Sequence, residues 1–149
     1  MIIGLPKETK DQELRVGITP AGVNTLIKSG NRVLVQKNAG VGSGISDDSY
    51  IQVGAELVKA PETLFSSSDL IVKVKEFQIH ECELLRPGLT TFSFLSLGIN
   101  PKLAQALMQS EVTAIAYETI ELKDGSLPIL KPMSALTGRL AIDVATHYL

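Results

Sequence analysis

Five polar residues of this 149-residue chain have types and positions that could do chemistry: Arg15, Lys75, Ser96, Glu118 and Ser134. An arginine presents a planar two-point fork and a lysine a compact charge, so the two converging would hold a small carboxylate. A serine hydroxyl nearby could hydrogen-bond a carbonyl oxygen. Each residue also has a plainer reading. An arginine in a polar loop is commonly solvated, and a lysine closing a strand commonly lays its stem on the surface with its ammonium in water. The readings separate on whether the fold gathers these groups on one rim.

The elements inferred from pattern favour such a rim. Residues 2–5 read as a buried strand stopped by Pro6, and a long polar loop over 7–17 carries Arg15. Thr19-Pro20 reads as N-cap plus first helical position, with Val23, Leu26 and Ile27 as the apolar face and Gly30 as the stop. Strands are predicted over 32–36, 56–58, 70–75, 90–94 and 112–117. Helices begin at Ser46-Asp47-Asp48 and Ala60-Pro61-Glu62 and run over 80–85 and 101–110, and Ser134 is expected to cap a last helix reaching Leu149. This alternation predicts an α/β fold, an open, mostly parallel Rossmann-like sheet with helices on both faces. Ligands bind such sheets at the carboxyl ends of the strands. Lys75 closes the 70–75 strand on the same face as Lys73, since side chains alternate. Ser96 follows the 90–94 strand and Glu118 the 112–117 strand, so with Arg15 four of the five groups fall on one rim.

Composition bounds the partners. The chain has 44% hydrophobic and 20% charged residues, enough apolar material for one buried core. Fourteen basic residues against sixteen acidic ones give a net charge of -2, with no electrostatic footprint for nucleic acid or an anionic membrane surface. No stretch has the length of a membrane span, and the opening residues carry too short an apolar run for a signal peptide. One cysteine, Cys82, makes neither an internal disulfide nor a thiolate metal cage, so a cytoplasmic location is expected.

Several blocks carry a resemblance. They are M-I-I-G-L-P-K-E-T-K-D-Q-E-L-R-V-G-I-T-P at the start, N-A-G-V-G-S-G-I-S-D-D-S-Y from Asn38, V-K-V-K-E from Val72, A-I-A-Y-E-T from Ala114 and P-M-S-A-L-T-G-R from Pro132. In order and over the whole chain, they resemble the N-terminal, substrate-binding domain of alanine dehydrogenase, a domain shared with the transhydrogenase α subunit. The resemblance implies reversible, NAD-dependent oxidative deamination of L-alanine to pyruvate and ammonia. It implies Arg15 and Lys75 on the substrate, Ser134 at the nicotinamide cofactor, and Glu118 as one ligand of a divalent metal. A homo-oligomer is implied too, family members being commonly hexameric.

The sequence also departs from that family. Its F-x-Y-L-H-L block reads Phe92-Ser93-Phe94-Leu95-Ser96-Leu97 here, so Ser96 stands where the family has its catalytic histidine. Histidine, with a reference pKa of about 6.5, both takes and gives protons near neutrality; a serine hydroxyl does not do so unaided. His80 and His147 are expected on the surface, and Phe77 replaces a family proline. No G-x-G-x-x-G follows a strand in these 149 residues, so they are expected to lack the family's dinucleotide-binding domain. The glycines over 40–44 have the wrong spacing and read as a flexible turn. The resemblance then implies either a truncated enzyme or one whose NAD is held by a separately encoded domain. Leu136, Leu140, Val144 and Tyr148 form a helical stripe that is either uncovered or packed on this domain. Two functions stay open: the substrate-binding part of an alanine dehydrogenase, inactive alone, or a non-catalytic carboxylate-binding or assembly module.

Overall fold

The computed structural model describes residues 1–148, and its strands form one sheet in which every pairing is parallel. β1 (Ile2–Leu5) lies at the centre. β2 (Arg32–Gln36) and β3 (Glu56–Val58) build outward on one side, and β4 (Leu70–Val72), β5 (Thr90–Ser93) and β6 (Thr113–Ala116) on the other. The order is β3-β2-β1-β4-β5-β6, so the winding reverses between β1 and β4. At that reversal the following loops diverge and leave a crevice at the carboxyl edge. The predicted α/β sheet with helices on both faces is the fold that forms.

Side-chain alternation explains the two faces. Leu34 and Ile71 point into a core completed by Leu64 and Phe65 of α3 (Pro61–Ser67) and Leu103 and Leu107 of α5 (Pro101–Gln109). Val33, Val35 and Val72 point the other way, onto Val23 of α1 (Pro20–Lys28) and Tyr50 of α2 (Asp47–Gln52). That second face is bare beyond β4, where Leu70, Phe92, Ile115 and Ile120 line an open apolar hollow of about 510 Å³. Caps start the helices as expected at Ser46, whose hydroxyl accepts from the Ser49 amide at 3.3 Å. Thr19 holds the N-cap position of α1 without a side-chain hydrogen bond, leaving Pro20 as the start signal.

Three expectations are corrected. β4 ends at Val72 rather than at Lys75: Lys73 N still donates to Phe92 O, but beyond it the Glu8 carboxylate accepts from Val74 N at 2.7 Å and Lys75 N at 3.4 Å. Lys73 and Lys75 therefore do not share an exposed face, and Lys73 is buried. α4 is the single turn Ile79–Cys82, and His80 on it is exposed, as is His147. Finally, Ser134 does not cap the last helix. α6 (Leu130–Tyr148) begins four residues earlier, since Pro132 falls in the first turn, where its missing N–H costs no hydrogen bond. Leu136, Leu140, Val144 and Tyr148 on α6 are all more than half exposed, so the stripe is uncovered. Among the described residues no helix is long and apolar enough to cross a membrane.

Candidate functional site

The loop after β1 presents Arg15, and a carboxylate fixes it there. Glu13 accepts from the Arg15 backbone amide at 2.9 Å and from Nε at 2.8 Å through Oε1, and from Nη2 at 2.6 Å through Oε2. These Arg15 hydrogen bonds hold the Glu13 carboxyl below the usual carboxylate range. Nη1 alone points elsewhere, lying 3.5 Å from Met133 Sδ on α6. The glycine turn over 40–44 is not free, as its sequence suggests, but is packed beneath this loop. Ser43 Oγ donates to Leu14 O at 3.0 Å, and a Cβ on Gly42 would lie 2.7 Å from that same carbonyl. Only glycine lets the two backbones approach so closely.

Lys75 is presented by the loop after β4, above a buried ion cluster. Lys73, 1% exposed, donates from Nζ to Glu81 Oε1 at 2.7 Å and lies 3.4 Å from Glu8 Oε2. Glu81 Oε2 accepts from Gln78 N at 2.8 Å, so the cluster fastens both ends of the loop that carries Lys75. Burial pushes the Glu8 carboxyl up, with Lys73 and the two amides opposing it. Phe77, also 1% exposed, closes the cluster. Its ring lies 5.5 Å from Lys73 Nζ and meets Phe65 edge-on at 6.3 Å.

Ser96 follows β5 with φ of 51°, in the left-handed region that side chains rarely adopt. Glu118 holds it there. One carboxylate oxygen accepts from Ser96 N at 2.7 Å and Leu95 N at 3.1 Å, and the other lies 3.3 Å from Leu95 N. Glu118 sits in the 3-10 turn Tyr117–Thr119, anchored by Tyr117, whose ring packs edge-on against Phe92 at 4.3 Å and Phe94 at 5.1 Å. Burial pushes the Tyr117 phenol up, which keeps it a neutral packing group.

Arg15, Lys75, Ser96 and Ser134 line one cavity of about 410 Å³. Phe94, Leu130 and Met133 supply its apolar wall. A larger hollow along α5 is lined by Leu97, Pro101, Ala104, Gln105, Met108 and Gln109, and so offers no charge to bind a carboxylate. Glu118 is not on the cavity wall. Its oxygens serve backbone amides, and among the described residues no group of three His, Cys, Asp or Glu could by itself hold a metal ion. Nor do the described residues fit a whole dinucleotide. Leu14, Ile45 and Tyr50 close the glycine turn from which a pyrophosphate cradle would have to be built. Ser134 and Thr137 put hydroxyl-bearing residues on the rim and nothing more. Sequence reading missed Glu13, Glu8, Glu81 and the seating role of Gly42. Only Glu13, two residues before Arg15 in an E-x-R pattern, left a local signal.

Comparison with known proteins gives a consistent result. The family described as alanine dehydrogenase/PNT, N-terminal domain, matches residues 4–137. An alanine dehydrogenase of Methanococcus maripaludis is 44% identical over all 149 residues, which make up 40% of that protein. One of Bacillus subtilis is 45% identical over the same residues, 39% of its length. A solved L-alanine dehydrogenase superposes with a TM-score of 0.92 at 42% identity, over 97% of this chain and 40% of that one. A transhydrogenase from Sinorhizobium meliloti gives 0.74 at 27% identity, over 79% of this chain and 35% of that one. The chain thus spans about two fifths of the length of the relatives it matches.

Proposed function

Since the chain belongs to the alanine dehydrogenase/PNT N-terminal domain family, we propose that it is the substrate-binding part of an NAD-dependent alanine dehydrogenase. The observation that carries this reading is the convergence of Arg15, Lys75, Ser96 and Ser134, from four separate elements, on one cavity. Arg15 Nη1 and the Lys75 ammonium hold the carboxylate of pyruvate or L-alanine. Phe94, Leu130 and Met133 take the methyl group. Ser96 donates a hydrogen bond to the 2-oxo oxygen but does not relay protons at neutral pH. NAD binds a domain outside this chain, provided by the rest of a longer polypeptide or by a separate one, and Ser134 meets the nicotinamide end. The chain alone does not catalyse deamination, works in the cytoplasm and assembles as a homo-oligomer.

Ser96 favours a second reading, a carboxylate-binding or assembly module that has lost the chemistry. Replacing a general acid–base by a hydroxyl lowers rates by about 10²–10⁴-fold. The experiment is calorimetric titration of the chain with pyruvate, beside Arg15→Ala. Saturable binding that weakens at least about tenfold in Arg15→Ala supports the carboxylate site. Absence of binding, or equal binding in the variant, refutes it. Alanine-dependent NADH formation after adding the family's cofactor domain, gained on Ser96→His, selects the enzyme over the module; no turnover in either form selects the module.

A further inference from the structure

Arg15 meets the cavity with much of its hydrogen-bonding edge already used. Nε and Nη2 are tied to Glu13 at 2.8 and 2.6 Å, and the Glu13 side chain is only 8% exposed. A ligand carboxylate could claim that edge only by stripping away a carboxylate that is already desolvated. What faces the cavity is Nη1, beside Met133, together with Lys75. Of the other charges around the two loops, Glu76 pairs with Lys10, while Glu8 and Glu81 share the buried Lys73 and leave one negative charge behind the site. Arg15, Lys75 and Glu13 by themselves therefore sum to a single positive charge, with the excess carboxylate of the Lys73 cluster lying behind them.

We propose that Glu13 sets the selectivity of this site for a single carboxylate, by occupying one edge of Arg15 and cancelling one of the two cationic charges that a dicarboxylate would need. The inference rests on reading the cavity as a carboxylate site. Volume does not make this choice, because about 410 Å³ accommodates both pyruvate and 2-oxoglutarate. Charge does. A 2-oxo monocarboxylate balances the charge of Arg15, Lys75 and Glu13, whereas a second carboxylate finds no cation left over. The Arg15 bonds, with a further pull from Lys75, keep Glu13 ionised across the neutral range.

The test is calorimetry with pyruvate and with 2-oxoglutarate on the wild-type chain, Glu13→Gln and Glu13→Asp. The wild type binds pyruvate more tightly. Removing the negative charge that Glu13 holds against Arg15 shifts the affinity ratio toward 2-oxoglutarate, by about tenfold or more, in Glu13→Gln. Glu13→Asp keeps the wild-type ratio even where both affinities fall, whereas a merely structural role for Glu13 would leave the ratio unchanged in Glu13→Gln as well. Glu13→Ala makes the same charge change with a different side chain, and either folded variant decides. An unchanged ratio with pyruvate still bound overturns the role of Glu13 and leaves the carboxylate site standing. No pyruvate binding to the wild type overturns both.

Discussion

Lys73 is the residue whose removal tests most directly how the site is held. Its ammonium lies 2.7 Å from Glu81 and 3.4 Å from Glu8, all three side chains being at most 5% exposed. At an effective dielectric of about 20, those separations correspond to gross attractions of about 6 and 5 kcal/mol, most of which offset the cost of burying the charges. Lys73→Met keeps the stem and its packing on Phe77 but strands two buried carboxylates. Breaking such a cluster typically costs about 3–5 kcal/mol. The backbone amides of Val74, Lys75 and Gln78 keep part of the stabilisation, so the lower end is expected.

The pH dependence identifies the cause. Burial already raises the Glu8 carboxyl above 4.5, and Lys73 is the largest effect opposing the rise. Without Lys73 the folded-state value climbs further, so the folded variant holds a proton that the folded wild type has released. Stability of the variant relative to wild type therefore falls as pH rises through that window, by up to about 1.4 kcal/mol per pH unit, and recovers as pH is lowered toward 4.5. The chain has no tryptophan, so urea unfolding is followed by far-ultraviolet circular dichroism at pH 5, 6, 7 and 8. A loss of the same size at every pH would show that packing on Phe77, and not charge, makes Lys73 necessary. A loss below about 1 kcal/mol at pH 8 would refute the cluster as a structural fastening altogether.

Two further perturbations address the other loops. Gly42→Ala places a methyl 2.7 Å from Leu14 O, a backbone atom that cannot step aside alone. It should lower urea stability by about 1–3 kcal/mol and weaken pyruvate binding, because the Arg15 loop must retreat. Gly44→Ala, where φ is 73° and no atom lies within 4 Å, should cost about 1 kcal/mol and leave binding intact; equal binding in both variants would dissociate the glycine turn from the site. Glu118→Ala removes the acceptor for the Leu95 and Ser96 amides. It should cost about 1–2 kcal/mol and accelerate hydrogen exchange at those two amides specifically, whereas unchanged exchange would mean the left-handed turn at Ser96 holds without it.

The strands were readable because their signals are local. Apolar β-branched runs bounded by proline, glycine and polar caps mark residues 2–5 and 32–36, and the alternation of strands with helices predicts a parallel sheet and a ligand rim. Lys73 and Lys75 show where local reading stops. They sit in the repeat K-V-K with nothing nearby to distinguish them, yet one is buried and the other lines the cavity. The difference is made by Glu8, 66 residues before Val74, which pairs with Lys73 and takes the backbone amides of Val74 and Lys75. Similarly, the glycine turn reads as flexible until Leu14, 29 residues before Ser43, is seen resting on it. The start of α6 was misplaced because Ser134 looked like a cap, while Pro132 in the first turn gave an equally valid start.

One device recurs at the carboxyl edge. Where a parallel strand ends and its neighbours diverge, backbone amides lose their ladder partners and must be satisfied another way. Here carboxylates do it, Glu8 for Val74 and Lys75 and Glu118 for Leu95 and Ser96, while Glu13 does the same for Arg15 within the long loop after β1. Each carboxylate thereby fixes a loop that presents a cavity-lining residue, and each brings a negative charge behind a site whose presented charges are positive. Rigidity and charge balance are consequently coupled. A substitution that frees one of these acids both loosens a loop and raises the net positive charge at the cavity, so the two effects part only when loop order and ligand-charge preference are measured on the same variant. A neutral isostere at Glu13 changes preference at nearly constant order, whereas Gly42→Ala changes order at constant charge. The opposite responses expected from that pair distinguish a site organised by its acids from one in which they merely fill space.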